Sequence, residues 1–155
     1  MNASQYLFPP GIRIAFPVSI TEHREGCPLF LERVAAGWPS PAEDYIEGSL
    51  DLHRYLVTNP ASTFFAWASG DSMQGAGIFE GDLLVVDRSL DAISGSIVVA
   101  ALEGELTIKR LLLKGKRISL KPENKAYPEI LITNPDELTI WGVVKHAVHS
   151  FQYKR

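Results

Sequence analysis

The sequence has one cysteine, no long apolar run, no excess of positive charge and no tract of biased composition. With Cys27 alone, no intrachain disulfide forms, which excludes a secreted scaffold held by cross-links and points to a reducing, cytoplasmic setting. Cys27 itself stands before Pro28 and reads as a small apolar residue in a loop rather than as a nucleophile. The longest unbroken apolar run, Ile97 to Leu102, falls far short of the roughly 20 residues that cross a bilayer. The opening stretch "MNASQYLFPPGIR" lacks the basic-then-apolar order of a signal peptide, so neither export nor a membrane anchor is expected. A formal charge of −3 gives no general attraction for nucleic acid, and the basic residues form no phosphate-binding block, so no direct nucleic-acid site is expected. No set of His, Cys, Asp and Glu has metal-ligand spacing, and no cofactor motif is present.

What is there suffices for one domain with a real core: 155 residues, 46% of them hydrophobic. Residues 1–39 are rich in proline and show no sustained period, which reads as an extended arm. "SPAEDYIEGSLDLHRYL" then begins with Ser40 at an N-cap, Pro41 at the first helical position and Glu43 three residues after the serine, a capping-box order that predicts one or two helical turns. After Asn59-Pro60 the character changes to short β-rich runs. Strands are expected at Thr63–Ala68, Asp82–Asp87, Ser96–Leu102, Glu105–Leu113, Arg117–Pro122 and Leu138–His149, the last bent near Gly142. "LEGEL" is expected to be a hairpin turn. The expected division is an arm with a short helix over 1–59 and a mainly β, mostly antiparallel domain over 60–155.

Chemistry has few places to sit. In "ASGDSM" a strand-like run ends in a turn, and glycines at 70, 75, 77 and 81 surround Ser72, so the backbone can turn sharply and present N–H groups. That pattern serves a nucleophile, and equally a turn or a helix cap. A serine nucleophile needs a base. His23, His53, His146 and His149 have no acid at an informative spacing and read as surface or packing residues. In "ELTIKRLLL", alternation puts Leu106, Ile108, Arg110 and Leu112 on one face and Thr107, Lys109, Leu111 and Leu113 on the other. Both faces are largely apolar. Arginine does not surrender its proton in a protein, whereas a desolvated lysine loses its preference for the charged form. Lys109 is therefore the candidate base, with a lysine snorkelling from a strand end as the alternative.

The ordered series "SGDSMQGAGIFEGDLLVVDRS", "GELTIKRLLL", "ISLKPENKAY" and "WGVVKHAV" resembles the LexA/UmuD family of self-cleaving proteins of the bacterial DNA-damage (SOS) response, over about Cys27 to Phe151. "PLFLERVAAGWPSPAEDYIEGSLDL" resembles the arm of the UmuD branch, and no paired DNA-reading helices precede the β-rich body. The resemblance implies a LexA/UmuD-type β-rich peptidase domain and a Ser/Lys dyad, Ser72 attacking and Lys109 acting as general base. It places the self-cleaved bond between Ala36 and Gly37. Backbone N–H groups of Asp71 and Ser72 are the oxyanion donors expected from a Gly-flanked turn. The implied partners are a RecA filament on single-stranded DNA that promotes cleavage, a second copy of the chain in a homodimer, and a UmuC-type Y-family translesion DNA polymerase.

Three departures stand out. The bond is Ala-Gly where a typical UmuD has Cys-Gly, residues 1–20 have no clear counterpart, and Gly75 stands where an acidic residue is common. The competing reading is a non-catalytic interaction module with a vestigial dyad, using apolar stretches such as "FFAWA" and "IWGVVKHAV" as contact surfaces. A signal-peptidase-like enzyme also uses Ser and Lys but would normally be anchored in a membrane.

Overall fold

The β-rich half of the sequence folds as its alternation requires. The computed structural model describes residues 27–30 and 46–151, which fall into two units, one within 19–58 and the other beginning at Asn59.

In the first unit, β1 (Cys27–Phe30) pairs antiparallel with β2 (Ile46–Leu50), and the short helix α1 (Leu52–Leu56) follows. The cap expected at Ser40 lies outside the described residues. The described helix starts instead at Asp51, whose carboxylate accepts the Arg54 N–H at 3.1 Å. Residues 46–50 are strand: pairing with β1 satisfies their backbone where a helix through Gly48 would be weak.

In the second unit the strands are β3 (Thr63–Trp67), β4 (Leu83–Asp87), β5 (Ile97–Leu102), β6 (Glu105–Lys114), β7 (Arg117–Lys121), β8 (Ile130–Ile132) and β9 (Leu138–Val148). They form one sheet in the order β3-β4-β9-β5-β6-β7-β8, every pairing antiparallel. β8 was not expected. With three residues between Pro128-Glu129 and Asn134-Pro135, it is too short for alternation to reveal.

The β5–β6 hairpin closes through Glu103 and Gly104, both at positive φ, as a two-residue turn between right-twisted strands demands. Alternation along β5 sends Val99 and the partly buried Ile97 to one hydrophobic cluster, with Met73, Ile78, Leu84 and Val86. Val98 and Ala100 join a second cluster with Leu111, Leu120 and Ile132. β6 is shared between them: Leu106 and Ile108 pack on the first and Leu111 lies in the second.

β9 carries two irregularities. Trp141 is passed over in the pairing with β5, and Lys145 in the pairing with β4. Such bulges bend a strand and strengthen its twist. Gly142 lies beside the first, and there is no room for anything larger: a Cβ there would stand 2.8 Å from Val86 Cγ1 and 3.0 Å from the Asp87 carbonyl oxygen.

The end of β4 is fixed by Asp87, which is buried and accepts from Ser62 Oγ at 2.7 Å, Ser89 Oγ at 2.7 Å and Ser89 N–H at 2.8 Å. Burial raises its pKa, but these bonds and the Lys145 charge outweigh it and hold the carboxyl below its ordinary value. A depressed folded pKa means stability that is present above the unfolded value of about 3.9 and lost as pH falls through the lower folded value. Asp87→Ala is expected to lower stability by about 1–3 kcal/mol at neutral pH, since two hydroxyls and an amide lose their acceptor. In urea titrations that deficit shrinks below about pH 4. An equal deficit at pH 7 and pH 2.5 would show that the carboxylate contributes no such stability.

Candidate active site

Two consecutive residues of β6 organise this region. Lys109 is 8% exposed, and its Nζ lies 3.0 Å from Ser72 Oγ, 2.9 Å from Thr107 Oγ1 and 3.0 Å from the Ile108 carbonyl oxygen. Among the described residues no carboxylate pairs with it. Burial therefore acts unopposed and pushes the lysine below its ordinary pKa.

The three neighbours match a neutral amine atom for atom. Its two N–H groups donate to Thr107 Oγ1 and the Ile108 carbonyl, and its lone pair accepts from the Ser72 hydroxyl. Once protonated, the same nitrogen donates to all three. A proton can thus arrive at Nζ without any heavy atom losing its partner.

Ser72 is half-buried in the turn after β3, where Met73 is buried against Ile78 and β4. The segment after β7 holds this turn. Glu123 N–H donates to the Ser72 carbonyl at 2.8 Å, and Gly75 N–H donates to the Glu123 carbonyl at 2.7 Å. Asn124 Nδ2 donates to the Asp71 carbonyl at 3.0 Å, and the Tyr127 hydroxyl donates to the Asp71 carboxylate. That bond and the adjacent negative charge raise the Tyr127 pKa. Among the described residues, no acceptor takes up the N–H of Asp71 or Ser72.

A cleft of about 510 Å³ opens beside Ser72 and Lys109. Trp67, Leu106, Ile108 and Ile78 give it apolar walls, and backbone at Ser69–Gly70 and Gly104–Glu105 completes it. An apolar cleft of this size with a few polar groups at one edge is shaped to hold a ligand.

The structure thus brings Ser72 and Lys109 together across 37 positions of sequence. Ala36 and Gly37 lie outside the described residues, as does His23. His53 is in α1 and His146 pairs within β9 and β4. His149, expected to be a surface or packing residue, has a specific partner: its Nδ1 stands 2.5 Å from Oδ1 of Asp82, a buried carboxylate whose Oδ2 accepts the Phe79 N–H. The two residues are 67 positions apart and meet only because β9 pairs with β4, so no local spacing announced them. Among the described residues no group of three or more His, Cys, Asp and Glu is placed to hold a metal ion. No helix among them is long and apolar enough to cross a membrane.

The Peptidase S24-like family matches residues 28–145. Protein SamA of Salmonella typhimurium is 52% identical over 122 residues, 79% of this chain and 84% of SamA. Protein ImpA of Escherichia coli is 50% identical over 79% of this chain and 83% of its own length. Protein MucA of Escherichia coli is 49% identical over 78% and 83% respectively. The chain belongs to the Peptidase S24-like family and is of the LexA/UmuD type.

The burial of Lys109 makes its titration measurable. In a 15N- or 13C-observed titration its amine is expected to lose its proton at a pH below the ordinary value of about 10.4. Because the folded pKa is the lower one, the folded state binds fewer protons in the window between the two values. Stability relative to Lys109→Met therefore rises with pH across that window. A midpoint at or above about 10.4 would contradict the assigned burial.

Proposed function

We propose that this Peptidase S24-like chain is a UmuD-like protein that cuts itself between Ala36 and Gly37, with Ser72 as nucleophile and Lys109 as general base. The observation that carries the reading is the 3.0 Å approach of a buried, desolvated lysine amine to a serine hydroxyl at the edge of an apolar cleft. In this reading residues 1–59 are the arm that serves as substrate and 60–155 the domain that acts on it.

The chemistry follows from the contacts. Ser72 Oγ attacks the Ala36 carbonyl carbon as its proton passes to neutral Lys109 Nζ. The negative charge that develops on the carbonyl oxygen is met by the N–H groups of Asp71 and Ser72. The Lys109 ammonium then protonates the Gly37 nitrogen, the C–N bond breaks, and Ala36 is left as an ester on Ser72. Water, deprotonated by Lys109, hydrolyses that ester and returns Ser72 to its hydroxyl form. Small side chains on both sides of the bond let its backbone approach the serine closely. Tethering the bond to the same chain removes much of the entropy of encounter.

The wider role rests on resemblance to the UmuD branch and on the likeness to SamA, ImpA and MucA. A RecA filament on single-stranded DNA favours the cleavable form of the arm and so speeds the reaction. The product, residues 37–155, acts in the cytoplasm as a homodimer and joins a UmuC-type Y-family DNA polymerase in error-prone translesion synthesis.

Purified chain is expected to yield a fragment beginning at Gly37 by intact mass. The rate rises with pH as Lys109 loses its proton and levels off below about pH 10.4. Ser72→Ala lowers it by about 10³-fold or more. An unchanged mass after long alkaline incubation, and again with an activated RecA filament, would overturn the assignment. If a Ser72→Ala chain supports damage-induced mutagenesis as well as the parent does, the chain works as a contact module instead.

A further inference from the structure

Arg110, the residue after Lys109, has its own connection to Ser72. Its Nε donates to Glu123 Oε1 at 2.6 Å, and one terminal nitrogen donates to the Gly95 carbonyl at 2.6 Å. The guanidinium is therefore held at both ends, between the loop before β5 and the segment after β7. Glu123 is the residue whose backbone makes both bonds to the serine turn, donating to the Ser72 carbonyl and accepting from Gly75 N–H. Lys121 lies 3.9 Å from the same carboxylate oxygen on a half-exposed side chain, too loose a contact to fix it.

Gly75 shows how closely the two segments are pressed together. A Cβ at that position would stand 2.3 Å from the Glu123 carbonyl oxygen. A side chain at this place does not fit without moving Glu123 away from the turn.

We propose that Arg110 and Glu123 are a positioning pair for the self-cleavage reaction: by pinning the Glu123 backbone against Ser72 they hold the serine hydroxyl within proton-transfer reach of Lys109. The pair rests on the reading of Ser72 and Lys109 as nucleophile and base. One strand then sets both partners, Lys109 through its own amine and Arg110 through Glu123. Neither Arg110 nor Glu123 takes part in the chemistry. The Arg110 hydrogen bond and charge hold the Glu123 carboxyl below its ordinary pKa, so the ion pair stays intact across the pH range in which Lys109 titrates.

The test is the pH profile of self-cleavage for wild type, Arg110→Gln, Glu123→Ala and the double variant, well below each one's unfolding temperature. Each single change is expected to lower the plateau rate by roughly 10- to 100-fold, the cost of a displacement of about 1 Å at a reacting pair. The double variant is expected to be no slower than the slower single one, because both changes remove the same pin. The pH midpoint stays at the wild-type value, because the burial that depresses the Lys109 pKa and its bonds to Thr107 and the Ile108 carbonyl are unchanged. Gly75→Ala loosens the same contact without altering any charge and is expected to slow cleavage to a similar degree. It decides the matter if Arg110→Gln does not fold.

Folded Arg110→Gln, Glu123→Ala or Gly75→Ala chains that cleave within about 2-fold of wild type would overturn the pair. So would losses that multiply in the double variant, since residues acting separately behave in that way. If the wild-type chain itself does not cleave, it is the Ser72/Lys109 reading that fails, and the positioning pair falls with it.

Discussion

A lysine amine taken out of water, with no carboxylate among the described residues beside it, is the constraint around which this domain is arranged. Burying an ammonium without a counter-charge is unfavourable by several kcal/mol. A fold that keeps Lys109 buried therefore favours the neutral amine, and a neutral amine needs an acceptor for each N–H and a donor for its lone pair. Thr107 Oγ1, the Ile108 carbonyl and the Ser72 hydroxyl supply these within 2.9–3.0 Å. A carboxylate in their place would have restored the lysine's charge and left a structural ion pair instead of a neutral amine able to take up a proton.

That constraint explains why β6 lies inside the sheet, with β5 on one side and β7 on the other, and is shared between the two hydrophobic clusters. Neighbouring strands dehydrate the lysine and make its position along the sheet invariant. The serine sits on a turn, which is less rigid by nature, and is secured from outside by backbone bonds from Glu123 and by Asn124 and Tyr127 acting on Asp71. The residues around Asp82 support the other flank of the same turn. Ala68 N–H donates to the Asp82 carbonyl and Gly81 N–H to the Ala68 carbonyl, while the Asp82 carboxylate meets His149 just beyond β9.

Much of this was legible in the sequence, and the reasons differ from element to element. The six expected strands of the second unit announced themselves because one or both faces are buried and the turns between them carry Gly, Asp or Asn. Lys109 announced itself because apolar residues flank it on both faces of its strand, so whichever face was buried, one cation had to be desolvated. The resemblance to the LexA/UmuD family then singled out Ser72. β8 stayed hidden because three residues carry no period. The helix at Leu52–Leu56 was not singled out, because its cap, Asp51, lies between short segments with no sustained period, and the start signal at Ser40, Pro41 and Glu43 lies outside the described residues. Nothing local pairs His149 with Asp82, or Arg110 with Glu123. Both contacts arise from strand order, which pattern reading does not supply.

Whether Lys109 works as a neutral amine is tested most directly by Lys109→Arg. Arginine keeps a long cationic side chain with donors for Thr107 and the Ile108 carbonyl, yet it does not give up a proton in a protein. The folded Lys109→Arg chain is expected to keep its full-length mass at every pH at which the wild-type chain is converted to a fragment starting at Gly37. A Lys109→Arg chain that is cut at that bond with wild-type pH dependence would contradict it.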